Sequence, residues 1–64
     1  MNIITDIRAL EARARAVPKQ QRTANYQIAL RRIRDARLFA DKNTVHAVAL
    51  CRAARHLLNL VQYT

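Results

Sequence analysis

Arginine is the residue type in this chain that is best suited to binding a charged partner. Ten of the twelve basic residues are arginines, the acidic residues number four, and the formal net charge is +8 at pH 7. The guanidinium group is planar and carries several N–H donors, so it matches phosphates and carboxylates better than a lysine ammonium does. The composition therefore predicts an anionic partner: a nucleic acid, an acidic protein surface or an acidic membrane surface.

The arginines are densest in the segment RRIRDAR, residues 31–37. Residues 19–42 carry seven basic and two acidic side chains, a net charge of +5. A helix of this composition can lie along a phosphate backbone. The competing interpretation is a solvated face in which Asp35 pairs with Arg31. The residues predicted to bind a nucleic acid or an acidic partner are Arg31, Arg32, Arg34, Arg37, Lys42, Arg52 and Arg55.

Residues that could perform other chemistry are few and unfavourably spaced. His46, Cys51 and His56 recur at intervals of five, which on a helix turns successive side chains about 140° apart, so they do not converge on a metal ion. The carboxylates form no close pair suited to acid–base catalysis, and the chain has no Gly for a phosphate-cradling loop. The sequence predicts no catalytic activity, no cofactor and no metal, and it favours Cys51 as a small buried hydrophobe.

Helices must position the arginines, because apolar residues recur at helical spacing along the chain. We predict helices over about residues 3–17, 24–40 and 44–63, with Asn2 or Thr5 capping the first and Glu11 pairing with Arg15. Asn43 or Thr44 is predicted to cap the third helix. The residues predicted to face the core are Ile3, Ile7, Leu10, Ala14, Val17, Tyr26, Ala29, Leu30, Ile33, Ala36, Ala40, Ala47, Leu50, Cys51, Ala54, Leu57, Leu58 and Val61.

The predicted fold is all-α and forms one domain over residues 1–64. It is either a small antiparallel three-helix bundle or a helical hairpin completed by dimerisation, because so short a chain buries only about 60% of its unfolded surface. We expect a cytoplasmic protein, since the sequence shows no signal peptide and no apolar run of about 20 residues that could span a membrane. Some apolar residues fit no core face, and a contiguous patch of them would mark a protein interface. They are Ile4, Ile28, Leu38, Val45 and Leu60.

Two functional hypotheses follow. The leading one is a small nucleic-acid-binding protein, for DNA or RNA, whose arginine-rich helix makes backbone-directed contacts. The alternative is a phage- or plasmid-type inhibitor or adaptor that docks on an acidic surface of a host protein. Membrane-surface binding is less favoured, because the apolar face of the third helix is explained more simply as core. Salt dependence separates the first two, since phosphate contacts weaken steeply as salt rises.

Overall fold

The computed structural model describes residues 2–62, and the secondary structure there is entirely helical. Helix α1 spans Ile3–Arg15, α2 spans Ala24–Phe39 and α3 spans Thr44–Gln62. A single 3-10 turn, Lys19–Gln21, lies in the connection between α1 and α2. All three predicted helices are therefore present. No helix in this range is both long enough and apolar enough to cross a lipid bilayer.

The ends of α1 follow from local side-chain chemistry. The Asn2 side chain accepts a hydrogen bond, 3.0 Å long, from the backbone N–H two residues later, so Asn2 is the cap and Thr5 is not. Helix α1 ends at Arg15, two residues before the approximate predicted end at Val17. Pro18 disfavours helical geometry at the residue before it, and α1 stops at Arg15. Val17 nevertheless stays buried in the core.

The turn between α2 and α3 contains the second helix cap. The Asn43 side chain accepts a hydrogen bond of 3.1 Å from the backbone N–H three residues later, so Asn43 caps the start of α3. The Thr44 hydroxyl instead donates to the carbonyl oxygen of Ala40 at 3.3 Å. Helix α2 ends at Phe39, one residue before the predicted end. Tyr63, the predicted last residue of the third helix, lies outside the described residues.

The apolar stripes of the three helices meet in one core. Ile7, Leu58 and Val61 are its largest fully enclosed side chains, and every core residue predicted from periodicity is buried there or packs at its edge, as Leu30 and Leu57 do. Helix α1 contacts both α2 and α3 of its own chain. Of the two predicted folds, the structure is thus the three-helix bundle.

Contacts along α1 establish how the helices run. Glu11 pairs with Arg37 of α2, and one turn later Arg15 lines the same cavity as Arg34, which comes one turn earlier on α2. Helices α1 and α2 are therefore antiparallel. The start of α1 lies against the first half of α3 and its end lies against Asn59, so α1 and α3 run parallel. Two grooves flank α1, and we call them the α1–α2 cleft and the α1–α3 cleft.

Candidate functional site

The arginine-rich segment forms the outer surface of α2. Because the helix turns its small and apolar residues inward, including Ile33 and Ala36, the arginines between them point to solvent. Arg31 and Arg34, one turn apart, line a shallow depression of about 160 Å³. All four arginines of the segment are exposed, namely Arg31, Arg32, Arg34 and Arg37.

The α1–α2 cleft is the larger of the two grooves and the more basic. It has a volume of about 370 Å³, and its lining includes Arg15 from α1 together with Arg34 and Arg37 from α2. Glu11 is the carboxylate of this lining. The remaining lining residues are apolar and lie deeper, because they belong to the core or pack against it; they are Ala14, Leu30 and Ile33. The cleft combines an apolar floor with a rim carrying three positive charges and one negative charge.

An ion pair crosses the rim of this cleft. Glu11 Oε1 lies 2.5 Å from an Arg37 terminal nitrogen, and the two side chains are 29% and 58% exposed. The predicted pairing of Glu11 with Arg15 on its own helix is therefore wrong. Facing side chains of adjacent helices can approach as closely as side chains one turn apart on the same helix. Here Arg37, across the groove, binds the Glu11 carboxylate. An exposed ion pair of this kind contributes at most about 1 kcal/mol to stability.

Among the described residues, most of the other arginines of this region have no acidic partner. Within residues 2–62, Arg15, Arg31 and Arg34 form no ion pair and no hydrogen bond through their guanidinium groups. The Asp35–Arg31 pair that was expected for a solvated face is not formed among residues 2–62, although the arginines themselves are exposed to solvent. The positive charge on this side of the bundle is thus largely uncompensated.

The predicted binding residues of α3 lie on the opposite side of α1. Arg52 and Arg55 line the α1–α3 cleft, of about 190 Å³, where Asp6 provides a carboxylate. This lining shares no residue with that of the α1–α2 cleft. Lys42 is exposed in the turn between α2 and α3. The structure therefore divides the predicted binding residues among the outer surface of α2, the α1–α3 cleft and the turn between α2 and α3. It also places Arg15 beside the arginines of α2, a grouping that residue spacing within one helix does not reveal.

Two further arginines have structural partners. Arg22 donates from Nε to the carbonyl oxygen of Val17 at 3.2 Å, and its guanidinium lies 5.2 Å from the centroid of the Tyr26 ring. These contacts hold the connection between α1 and α2 against the start of α2. Arg13 donates a hydrogen bond to the side-chain oxygen of Asn59, which ties the end of α1 to α3.

The histidines and the cysteine do not form a common site. Cys51 is buried in the core, as predicted. Its burial raises the pKa of the thiol, the Asp6 carboxylate raises it further, and Arg55 lowers it. His46 packs edge-on against Phe39, with ring centroids 4.7 Å apart and planes at 86°. Among the described residues, no three His, Cys, Asp or Glu side chains are grouped to hold a metal ion.

Exposed apolar residues cluster in sequence around the turn between α2 and α3. Leu38 and Val45 are 65% and 82% exposed, and they are the chain neighbours of the Phe39–His46 ring contact. We call Leu38, Phe39 and Val45 the turn patch. Val45 also lines a mostly apolar depression of about 330 Å³ on α3, at whose edge lies Arg52. Three more residues expected to be exposed are so in the structure, namely Ile4, Ile28 and Leu60.

Comparison with known proteins finds no matching family model, and no match among curated proteins or solved structures. Function must therefore be argued from the surfaces described above.

Proposed function

We propose that the protein binds nucleic acid through backbone phosphates. The contact surface in this proposal is the arginine face, defined as Arg15, Arg31, Arg34 and Arg37. The α1–α2 cleft is the observation that carries the proposal, because arginines from two helices meet there beside a single carboxylate. No membrane-spanning helix is found in the described range, and the proposal needs none.

Charge balance supports this function. Neighbouring guanidinium groups repel one another, so a cluster with few acidic partners disfavours the compact state unless anions neutralise it. Arg15, Arg31 and Arg34 have no carboxylate partner within residues 2–62. A phosphate backbone supplies a row of such anions, and binding releases the counterions condensed on it.

The spacing on α2 also suits a phosphate backbone. Arg31, Arg34 and Arg37 follow one another at intervals of three, so the row extends about 9 Å along the helix axis and curves by about 120° around it. One strand of duplex DNA carries a phosphate about every 3.4 Å along its axis. The row thus covers about three phosphates, and such contacts bring affinity without reading the base sequence.

The proposal is tested by titrating duplex DNA and a hairpin RNA with protein at low and moderate salt. The variant Arg31→Gln/Arg34→Gln removes two charges from the arginine face. Its matched control, Arg52→Gln/Arg55→Gln, removes two charges from the α1–α3 cleft. We expect the first variant to reduce the slope of log affinity against log salt by about two, since each phosphate contact contributes about 0.9 on B-DNA. The control should change the slope less.

Two outcomes contradict the proposal. Equal losses in both double variants would show that net charge, and not the arginine face, determines binding. Absence of binding even at low salt would remove nucleic acid as the partner. Far-UV circular dichroism of each variant checks that the bundle remains folded, which we expect because all four substituted residues are exposed.

The turn patch favours a second candidate function, which is docking on an acidic protein surface. Its apolar side chains Leu38 and Val45 are 65% and 82% exposed. Lys42 lies in the turn, where its backbone N–H bonds the carbonyl oxygen of Phe39, and Arg52 lines the same depression as Val45. Apolar anchors bordered by positive charge complement a helix that carries leucines and glutamates. Lys42, Arg52 and Arg55 therefore remain predicted binding residues, either for a nucleic acid or for an acidic protein.

A synthetic amphipathic helix of leucines and glutamates tests this second candidate. We expect its binding to depend on Val45 and Leu38 and to weaken only mildly with salt, because buried apolar contacts are insensitive to screening. The variant Leu38→Ser/Val45→Ser should abolish peptide binding and leave DNA binding intact. Peptide binding that survives this variant would contradict docking at the turn patch.

A further inference from the structure

The ion pair between Glu11 and Arg37 lies inside the cleft that the proposed function uses. Carboxylate and phosphate oxygens are recognised by the same fork of guanidinium N–H donors. Glu11 therefore places on Arg37 the same kind of anionic group that a phosphate would bring. Arg15 and Arg34 line the same cleft without an acidic partner of their own.

We propose that the α1–α2 cleft is a binding site for one phosphate group, and that Glu11 is an internal competitor which this phosphate displaces from Arg37. The phosphate then lies between Arg15, Arg34 and Arg37. Where it belongs to a nucleic acid, this inference rests on the proposed function. The chemistry is the same for a phosphodiester in a chain and for a free phosphate, and the experiments below distinguish the two.

Displacement is feasible because the ion pair is exposed. The Arg37 side chain is 58% exposed and Glu11 is 29% exposed, and surface pairs of this kind change an equilibrium constant by at most about fivefold. A phosphate between three guanidinium groups meets more positive charge than Glu11 meets at Arg37 alone. Release of Arg37 from the carboxylate therefore opposes binding only weakly.

The size and lining of the cleft fit a nucleotide unit. Its volume of about 370 Å³ lies at the lower end of the range of about 300–1,000 Å³ that is usual for small-molecule sites. The apolar floor formed by Ala14, Leu30 and Ile33 offers a surface for the sugar next to the phosphate. The site thus takes a phosphate with a small organic group attached.

The variant Glu11→Gln tests the competition directly. It keeps the length and hydrogen-bonding capacity of the side chain and removes its charge. Asp41→Asn is the matched control, because it also raises the net charge by one but lies in the exposed turn between α2 and α3. We expect Glu11→Gln to bind duplex DNA about threefold to fivefold more tightly at low salt. It should also steepen the slope of log affinity against log salt by about one phosphate contact. Asp41→Asn should change neither the affinity nor the slope to this extent.

A double-mutant cycle separates competition from a general charge effect. In the wild-type background the phosphate must first displace Glu11, which offsets part of the Arg37 contact, so Arg37→Gln should reduce DNA affinity by less than it does in the Glu11→Gln background. In the Glu11→Gln background Arg37 is free, and the same substitution should cancel the whole gain. Additive effects of the two substitutions would overturn the inference. Thermal unfolding should show a decrease below about 8 °C for Glu11→Gln, since an exposed pair is worth at most about 1 kcal/mol.

Inorganic phosphate at constant ionic strength identifies the source of the ligand. Arginine side-chain N–H resonances in the Glu11→Gln protein report occupancy of the cleft. Saturable shifts of Arg15, Arg34 and Arg37 with phosphate alone would show that a free anion suffices, and shifts with DNA alone would assign the site to a nucleic-acid backbone. No shift with either overturns the inference. If wild-type protein binds DNA through Arg31 while Glu11→Gln behaves like Asp41→Asn, the inference fails and the proposed function stands.

Discussion

The two clefts beside α1 are built from the same residue types and differ in charge balance. The α1–α2 cleft is lined by three arginines and one glutamate in about 370 Å³. The α1–α3 cleft is lined by two arginines and one aspartate in about 190 Å³. A hydrogen bond from Arg13 to Asn59 further joins α1 to α3 on that side. One groove is therefore larger and more basic, and the other is smaller and closer to neutral.

This difference shows that total charge does not locate a binding surface. Helix α1 contributes one carboxylate to each cleft, Glu11 on one side and Asp6 on the other. The excess of arginine accumulates where the RRIRDAR segment of α2 meets Arg15. An anion that approaches the bundle thus meets the larger excess of positive charge at the α1–α2 cleft, where three arginines face one carboxylate, against two arginines and one carboxylate at the α1–α3 cleft.

The largest effect is expected from a substitution in the core, because the core supports both clefts and its unfolding would remove them together. Leu58 is 0% exposed, and Leu58→Asp would bury an unpaired carboxylate among apolar side chains. Such a change costs more than about 4 kcal/mol, against a total stability of about 3 to 10 kcal/mol for a domain of this size. We expect the variant to be unfolded, with loss of the helical signal in far-UV circular dichroism.

Leu60→Asp is the matched control for this experiment. Leu60 lies on the same helix and is 43% exposed, so a carboxylate there stays solvated. We expect the control to remain helical and to melt within a few degrees of wild type. Equal loss of helicity in both variants would contradict the assignment of the buried face of α3. Leu57, which sequence periodicity also places on the core face, is only half-buried and makes a less decisive target.

The helices and their buried faces could be predicted from sequence because helical periodicity is a local property. Ile7, Leu10 and Ala14 recur at the spacing of one helix face, and the structure buries all three. The predicted ends were less accurate. Helix α1 ends at Arg15, shortly before Pro18. The apolar pattern nevertheless continues to Val17, which is buried although it lies outside the helix.

The composition of the clefts could not be predicted in the same way. It depends on how α1 is rotated against α2 and α3, and no spacing within one helix specifies that rotation. The pairing of Glu11 with Arg37 and the grouping of Arg15 with Arg34 are therefore visible only in the folded chain. The exposure of Leu38 and Val45 was predictable, because neither residue fits the apolar stripe of its helix.

A smaller effect is expected from loosening the α1–α3 side alone. Asn59→Ala removes the acceptor of the Arg13 hydrogen bond. Because the contact is exposed, we expect a loss of at most about 1 kcal/mol and a decrease in melting temperature of at most about 8 °C. DNA affinity should be unchanged, since Asn59 lies outside the α1–α2 cleft. A parallel loss of DNA binding would show that the two clefts are not independent.

The smallest expected effect is a dependence of stability on alkaline pH, and it reports on the α1–α3 side. Burial of Cys51, reinforced by Asp6 and opposed by Arg55, raises the pKa of the thiol in the folded protein. The unfolded chain therefore loses this proton first, at the ordinary thiol pKa of about 8.5. Above that pH the folded state binds more protons than the unfolded state, so the stability that Cys51 contributes falls as pH rises.

Urea unfolding at about pH 7 and about pH 9.5, on either side of the ordinary thiol pKa, measures this effect. Wild-type protein should lose more stability between the two values than Cys51→Ala, which has no thiol to ionise. An equal loss in both proteins would show that the thiol is not shielded from water at the α1–α3 interface. That result would contradict the burial of Cys51, which belongs to the core and lines the smaller α1–α3 cleft.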